Sequence, residues 1–215
     1  MSWSSGKEGA FALHALLAHD AVEVTALLTT LNGDVDRVAM HAVRRELVEA
    51  QADRLGLPLR TVAIPSPCPN EEYETRMRAA LADAADDGVS EIAFGDLHLA
   101  DVRAYRERLL EPTSLAPRFP LWGRPTAVLA RELLAARVRA VVTCVDPARV
   151  PASLVGRPDD AGLLADLPAG ADPCGENGEL HTFVWDAPGF AAPISVEAGA
   201  VVERDGLVCC DLRPA

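Results

Sequence analysis

The residues best suited to phosphate chemistry lie in one short loop near the start of the sequence, Ser4–Gly9. The loop holds Lys7, the single lysine among 20 basic residues. Small residues let backbone amide groups turn toward an anion, and the apolar stretch Ala10–Leu17 predicts a helix whose positive end faces the same point. A compact ammonium group suits phosphate oxygens. The alternative is an ordinary Gly-Ser turn that caps a helix.

A second set of chemistry-bearing residues lies late in the sequence. Glu176 and Glu179 bracket Asn177-Gly178, a dipeptide typical of tight turns. His181 follows the turn as a candidate base, and a histidine with purely structural contacts at the start of a strand is the alternative. Taken alone, this segment predicts a turn on the protein surface.

Composition restricts the class of function. The 215 residues suit one large domain or two small ones. A net charge of −12, with no basic tail, argues against a nucleic-acid partner, because such proteins neutralise phosphates with clustered Lys and Arg. The absence of a long apolar run or an apolar leader predicts a cytoplasmic protein with no membrane span.

The five cysteines are odd in number and form no C-x-x-C pair. This pattern argues against a disulfide framework or a zinc knuckle, and it fits a reducing compartment. We expect each cysteine to be a small buried apolar residue rather than a nucleophile.

The first 124 residues alternate between strand and helix patterns. Predicted strands are Val22–Leu28, Leu59–Ile64, Glu91–Phe94 and Arg118–Trp122, and predicted helices are Asp34–Leu55, Asn70–Gly88 and Leu99–Leu110. This alternation predicts an α/β domain with a parallel sheet of about five strands covered on both faces. Ligands bind such sheets beyond the carboxyl ends of the strands. Only Met1–Trp3 precede the loop, so the first strand is either a stub or begins upstream of the given start.

The remaining residues, 125–215, predict a smaller α+β domain. The pattern comprises a helix at Pro125–Ala136, then strands at Ala140–Cys144, Leu180–Trp185, Ile194–Glu203 and Leu207–Asp211. Asp205-Gly206 is a common signal for a tight hairpin between the last two strands. We place the domain boundary near Arg124.

Two motifs carry a family resemblance. The Ser4–Gly9 loop resembles the S-G-G-K-D-S pyrophosphate loop (PP-loop) of the N-type ATP pyrophosphatases, within the adenine nucleotide alpha-hydrolase superfamily. The segment Asp172–Phe183 resembles the G-E-N-G-E-[FY]-H-T segment of the diphthine–ammonia ligase family. Phe94-Gly-Asp, Asp101, Arg106 and Leu121-Trp122 also follow that family's order and spacing. Three loop positions depart from the pattern: Ser5 replaces the first Gly, Glu8 replaces Asp and Gly9 replaces Ser.

The resemblance implies a Rossmann-like (HUP-type) fold and an ATP-dependent amide ligation that releases AMP and pyrophosphate. ATP and Mg²⁺ are the implied cofactors, ammonia or an amine is the implied nucleophile, and the carboxylate acceptor, on a small molecule or a protein, stays open. The implied catalytic residues are Lys7, Glu176, Glu179 and His181. The implied nucleotide-binding residues are Ser4, Ser5, Gly6, Lys7, Glu8, Gly9, Gly95, Asp96 and Arg106. The implied substrate-binding residues are Asn177, Gly178 and Trp122, and Asp96 is the implied Mg²⁺ ligand.

Several of these residues have plainer alternatives. Asp96 is otherwise a polar residue in a strand-to-helix turn, and Arg106 a solvated helix residue paired with a nearby carboxylate. Trp122 suits packing or adenine contact better than chemistry. His41 faces the same cleft or has a structural role.

Two other functions remain open from the sequence. A non-catalytic sensor that holds ATP or AMP is favoured by the altered Glu8-Gly9 end of the loop. A tRNA-modifying ligase or thiolase of the same superfamily needs a basic RNA-binding face, which this acidic chain lacks. The sequence gives no oligomeric state and no source of ammonia.

Overall fold

The computed structural model describes residues 1–39 and 41–215. The helices are α1 (Lys7–Leu17), α2 (Arg45–Leu55), α3 (Asn70–Asp86), α4 (Ala100–Leu110), α5 (Thr126–Ala135) and α6 (Ala161–Asp166). The strands are β1 (Leu27–Asn32), β2 (Arg37–Val38), β3 (Leu59–Ile64), β4 (Glu91–Ala93), β5 (Ala116–Arg118), β6 (Arg139–Val145), β7 (Leu180–Asp186), β8 (Val196–Arg204) and β9 (Leu207–Pro214). The chain is therefore α/β, as the alternating pattern predicts.

These strands are assigned to three sheets, of which the first is mixed. One sheet has the order β2-β1-β3, a second pairs β4 with β5, and a third has the order β7-β6-β9-β8. The β1–β3 and β4–β5 pairs are parallel, whereas β2 and the strands of the third sheet pair antiparallel. These strand assignments do not confirm the expected single parallel sheet of about five strands, although the parallel pairs are consistent with a Rossmann-like arrangement.

The first residues of the chain connect the two parallel pairs. Trp3 N donates to the Leu28 carbonyl oxygen of β1, and Ser2 N donates to the Ala93 carbonyl oxygen of β4, each at 2.8 Å. The segment Met1–Trp3 therefore runs between β1 and β4 as a very short strand-like stub. Its end delivers the Ser4–Gly9 loop to the carboxyl ends of those strands.

The long helix expected over Asp34–Leu55 is wrong in its first half. That part of the chain contains β2 and a tight turn in which Ala42 adopts a left-handed φ of 56°. His41 consequently lies in this turn and not on a helix. Met40, which the expected helix also included, lies outside the described residues.

A tertiary contact explains the failure of the helical pattern. Arg37 and Arg44 flank the turn and both donate to the carboxylate of Asp211 on β9, at 2.8 and 2.9 Å. Hydrogen bonds from these arginines hold the pKa of Asp211 well below its usual range. The turn is therefore fixed to the third sheet, and local helix propensity is too weak to compete with such contacts.

Most other elements lie close to their predicted positions. The bounds of β3 match the prediction, whereas β1 is Leu27–Asn32 instead of the predicted Val22–Leu28. Before β1 the chain forms an irregular segment over residues 18–26. Residues 22–26, which the apolar pattern assigned to this strand, lie in the irregular segment instead.

The third sheet contains a disulfide bond, which shows that the sequence-based argument against disulfides is wrong for two of the cysteines. Cys144 on β6 lies directly opposite Cys209 on β9, and their sulfur atoms are bonded. Two cysteines in neighbouring strands leave no local spacing signal, because 65 residues of sequence separate them. The expected hairpin at Asp205-Gly206 is confirmed, with both residues at positive φ between β8 and β9.

One hydrophobic cluster contains residues from both sides of the boundary predicted near Arg124. Its members include Trp3, Leu13, Leu129, Phe183 and Leu212. The division into two domains stays a prediction, and the shared core shows that the two parts pack against each other. In the part of the chain that the structure describes, none of the helices combines the length and apolar character needed to cross a bilayer.

Candidate functional site

The Ser4–Gly9 loop passes directly into α1, which begins at Lys7 and not at Ala10 as the apolar pattern predicts. Gly6 is the N-cap residue, and its extended backbone (φ −86°, ψ 171°) carries no side-chain cap. The first amide groups of a helix lack partners within the helix and carry partial positive charge. This end of α1 therefore has the character of an anion site.

Ser5 adopts the backbone conformation that favours glycine. Its φ is 72°, its side chain is fully buried, and its Oγ has no hydrogen-bond partner among residues 1–39 and 41–215. The Ser5 carbonyl oxygen accepts from Val184 N at 3.0 Å and from Gln51 Nε2 at 3.1 Å. The loop therefore keeps a turn that glycine would adopt without strain, because its neighbours hold Ser5 in place.

The side chain of Lys7 is buried, with 1% exposure. Its Nζ lies 3.4 Å from Asp159 Oδ2 and 3.9 Å from Glu8 Oε1, and it makes no hydrogen bond within the described part of the chain. Burial disfavours the ammonium, but the two carboxylates outweigh burial and raise the pKa of Lys7 above its usual value. Lys7 is therefore charged at neutral pH.

Glu8 differs from Lys7, because its pKa shift favours the uncharged form of the side chain. Its side chain keeps 20% exposure, yet Oε1 is buried and has no hydrogen-bond partner in the described ranges. Burial raises the pKa of Glu8 to about 7, and attraction to Lys7 opposes this rise. Two carboxyl groups thus lie beside one ammonium, and burial favours the protonated form of Glu8.

Strand β7 lies directly against the loop. Thr182 Oγ1 accepts a hydrogen bond from Lys7 N at 3.1 Å, and Val184 N donates to Ser5 as described above. The Thr182 carbonyl oxygen lies 3.5 Å from the point where a Cβ on Gly6 would be. The two segments that the sequence analysis singled out, far apart in the chain, are therefore in contact.

Two histidines flank this contact. The rings of His41 and His181 lie 4.7 Å apart, and a Cβ on Gly6 would approach His41 Cε1 to 3.1 Å. Burial lowers the pKa of His41 to about 3, with a smaller contribution from His181. Burial and the nearby Lys7 also lower the pKa of His181. Both rings are therefore neutral at neutral pH.

Glu176 connects its turn to the segment after β4. Its Oε1 accepts from Leu97 N at 2.7 Å and weakly from His98 N at 3.4 Å. Burial raises the pKa of Glu176, and these two amide hydrogen bonds oppose the rise. The carboxylate lies near both Glu8 and Asp96, which contribute to the local negative charge.

Glu179 points into its own turn. Its carboxylate accepts from Asp172 N, Asn177 N and Asn177 Nδ2 at 3.0–3.1 Å, and only 3% of the residue is exposed. Although burial opposes ionisation, these hydrogen bonds lower the pKa of Glu179. Gly175 in the same turn has a φ of 77°, and a Cβ there would lie 2.6 Å from the Leu180 carbonyl oxygen. The turn is therefore closely built around the Glu179 side chain.

The turn after β4 lies against the start of α1. A Cβ on Gly95 would lie 3.1 Å from Gly9 N and 3.2 Å from the Glu8 carbonyl carbon. Asp96 Oδ2 lies 3.6 Å from Arg106 Nε, and both atoms are buried without hydrogen-bond partners among the described residues. These two atoms without partners belong to the turn and helix that lie next to the Ser4–Gly9 loop.

Trp122 belongs to a neighbouring aromatic cluster. Its ring contacts Phe119 edge-on at 5.8 Å, and the Arg103 guanidinium stacks over both rings at 4.8 Å. The half-buried position fits packing or ligand contact better than chemistry. Asn177 is exposed and Gly178 is half-buried at the tip of the turn described above.

Asp159 is a site residue that the sequence analysis missed. It lies between the predicted strands Ala140–Cys144 and Leu180–Trp185, where no element was predicted, and its side chain is 5% exposed beside Lys7. Within the described part of the chain, no group of three or more His, Cys, Asp or Glu residues is arranged to hold a metal ion. Asp96 offers one buried, orphaned carboxylate oxygen, the donor type that Mg²⁺ prefers alongside phosphate oxygens.

Comparison with known proteins identifies the family. Residues 1–116 match the family model described as the diphthamide synthase N-terminal domain. The chain belongs to this family. The diphthamide synthase match covers the loop, α1 and the turn after β4, and it ends before the Glu176–Glu179 turn.

Curated relatives extend the likeness to almost the whole chain. The diphthine–ammonia ligases of Rattus norvegicus and Homo sapiens are 24% identical to it, and that of Bos taurus is 25% identical. Each alignment spans 221 residues, 93% of this chain and 82% of the relative. The resemblance inferred from the two motifs is therefore confirmed at the level of the family.

Proposed function

We propose that this chain is an ATP-binding amide ligase that forms AMP and pyrophosphate, similar to diphthine–ammonia ligase. The relatives' names support a ligase of this family. The observation that carries the proposal is the contact between the Ser4–Gly9 loop and β7, through Lys7 N–Thr182 Oγ1 and Val184 N–Ser5 O. Through it the candidate phosphate site lies against the strand that directly follows the carboxylate-bearing turn.

The proposed chemistry has two steps. A carboxylate oxygen of the acceptor attacks the α-phosphorus of ATP, and the bond to the departing pyrophosphate breaks. Ammonia or an amine then attacks the carbonyl carbon of the acyl-adenylate, the bond to AMP breaks, and a proton leaves the nitrogen. Both steps depend chiefly on positioning and on neutralising charge.

The chain's own groups suit separate tasks in this scheme. The N-terminus of α1 and the Lys7 ammonium would stabilise the departing pyrophosphate. Arg106 can add charge at the nucleotide, and Asp96 would hold Mg²⁺, which neutralises phosphate charge when bound. Glu176, with a raised pKa, suits proton acceptance better than Glu179, whose oxygens are engaged within its turn.

The test is release of pyrophosphate. Purified protein with ATP, Mg²⁺, ammonium and a panel of carboxylates should form AMP and pyrophosphate in equal amounts. Lys7→Ala should reduce the rate about 100-fold or more, since a preorganised charged donor is lost. Arg60→Ala, on β3 and ion-paired with Asp87, is the matched control for loss of a basic residue. Formation of ADP and phosphate alone would overturn the proposal.

The second candidate is a sensor that holds ATP or AMP without turnover. The burial of Lys7 favours it, because the ammonium is already covered by protein and faces two carboxylates. Tight ATP binding, with no pyrophosphate release for any amine and carboxylate, would support this candidate over the ligase.

A further inference from the structure

The segment that carries Asp159 is fixed to β6 by its backbone. Val142 N donates to the Arg157 carbonyl oxygen at 2.9 Å, and Gly156 N donates back to the Val142 carbonyl oxygen at 2.8 Å. Further along, Asp159 N donates to the Ala140 carbonyl oxygen at 2.9 Å. Three backbone hydrogen bonds therefore set where the Asp159 side chain can reach.

That side chain reaches Lys7. The 3.4 Å separation of Asp159 Oδ2 and Lys7 Nζ is shorter than the 3.9 Å from Nζ to Glu8 Oε1. The side chains of the pair are 5% and 1% exposed. A buried charge is tolerated only with a partner, and the lysine side chain has several rotatable bonds that a partner must restrain.

We propose that Asp159 is the positioning residue of Lys7, which holds the ammonium group at the N-terminus of α1 before a phosphate arrives. This inference rests on the proposed function, because it names the residue that positions the lysine proposed to bind phosphate. Its structural content does not depend on turnover. The pair links the start of the chain to a segment more than 150 residues later, and so couples the phosphate loop to the third sheet.

Titratable groups face Lys7 from several of the elements packed around it. Glu8 follows it on α1, Asp159 faces it from the segment along β6, and Cys174 and His181 face it from the turn and from β7. Burial raises the pKa of the Cys174 thiol, and His181 is neutral, so neither supplies negative charge at neutral pH. Without Asp159, Glu8 alone would counter the cost of burying the ammonium.

The experiment uses the fact that Lys7 is the chain's single lysine. Protein labelled with ¹³C,¹⁵N-lysine gives one lysine side-chain signal in NMR. In Asp159→Asn this signal should titrate about one pH unit or more below that of the wild type, because the nearest counter-charge is gone. Asp159→Glu, which keeps the charge, should stay close to the wild type. Asp160→Asn is the matched control, because Asp160 caps α6 through Leu163 N and asparagine serves equally well there.

Identical titration of the wild type and Asp159→Asn would overturn the inference. If Asp159→Asn does not fold, the double variant Lys7→Met with Asp159→Asn should fold again, since both members of the pair are then uncharged. Failure of the double variant to recover would also overturn it.

Inorganic pyrophosphate, added to the labelled wild type, separates this inference from the proposed function. A lysine signal that responds to Asp159→Asn but not to pyrophosphate supports the positioning role and contradicts the phosphate site. A signal that responds to pyrophosphate but titrates identically in the variant supports the phosphate site and contradicts the positioning role.

Discussion

The Ser4–Gly9 loop and the Glu176–Glu179 turn are neighbours that differ in whether their buried polar atoms have hydrogen-bond partners. In the loop region, Ser5 Oγ, Lys7 Nζ and Glu8 Oε1 are buried without hydrogen-bond partners among the described residues. In the turn, both oxygens of Glu179 accept hydrogen bonds from their own segment. Unpartnered buried polar atoms are costly. Their concentration in the loop therefore marks the place where a ligand would improve the structure, whereas the turn is complete without one.

This contrast assigns different tasks to the carboxylates. Glu8 is held in a setting that disfavours its charge, whereas Glu179 is held in one that favours it. A residue of the first kind is poised to respond to an incoming cation or proton. A residue of the second kind fixes the shape of the segment. Substitutions in the two regions should therefore differ in their dependence on pH and in the sign of their effect on stability.

Glu8→Gln should give the largest effect on stability. The folded-state pKa of Glu8, about 7, lies above the ordinary value of 4.5, so the wild type loses stability as pH rises through this window. The variant escapes this loss and should be more stable than the wild type above pH 7, by about 3 kcal/mol, with little difference near pH 4. Urea unfolding at a series of pH values measures this. Glu49→Gln on α2, with a side chain 51% exposed, is the control. A difference that does not change with pH would contradict the assignment.

Glu179→Ala should destabilise the protein by about 2 kcal/mol, because three hydrogen-bond donors lose their acceptor in a largely buried turn. The free energy of unfolding from urea titration at neutral pH measures this loss. Glu203→Ala, an exposed carboxylate on β8, should change stability by less than about 0.5 kcal/mol. If the two substitutions have equal effects, the turn is not built around Glu179.

Ser5→Gly should have the smallest effect, a gain of about 1 kcal/mol. Glycine adopts a φ of 72° without strain and removes a buried hydroxyl that lacks a partner in the described chain. Ser5→Ala is the matched variant, since it removes the hydroxyl but keeps the strain. Thermal unfolding of the pair separates the two contributions. A loss of stability in both Ser5→Gly and Ser5→Ala would show that the hydroxyl has a partner of its own.

The sequence predicted elements correctly where the signal was local. The apolar residues of Leu59–Ile64, bounded by Pro58 and Pro65, predicted β3 with its observed bounds. The Asp205-Gly206 dipeptide predicted a hairpin, because its residues tolerate the positive φ values found there. The family resemblance implied roles for residues of both the Ser4–Gly9 loop and the Glu176–Glu179 turn, whereas neither segment alone indicates that the two lie close together.

Contacts between residues far apart in the sequence could not be predicted from local patterns. The helix expected over Asp34–Leu55 fails because Arg37 and Arg44 bind Asp211, which no local pattern of apolar residues reports. Asp159 was missed for the same reason, since its importance lies in a partner at the other end of the chain. The disulfide between Cys144 and Cys209 likewise depends on the pairing of β6 with β9.

The burial of Lys7 has a practical consequence for handling the protein. Since the chain's sole ε-amino group is 1% exposed, amine-directed biotinylation, cross-linking or resin coupling will find no lysine to modify in the folded state. Labelling that does appear at this position therefore reports local opening around the first turn of α1. A common reagent thus becomes a probe of how often the cluster is uncovered.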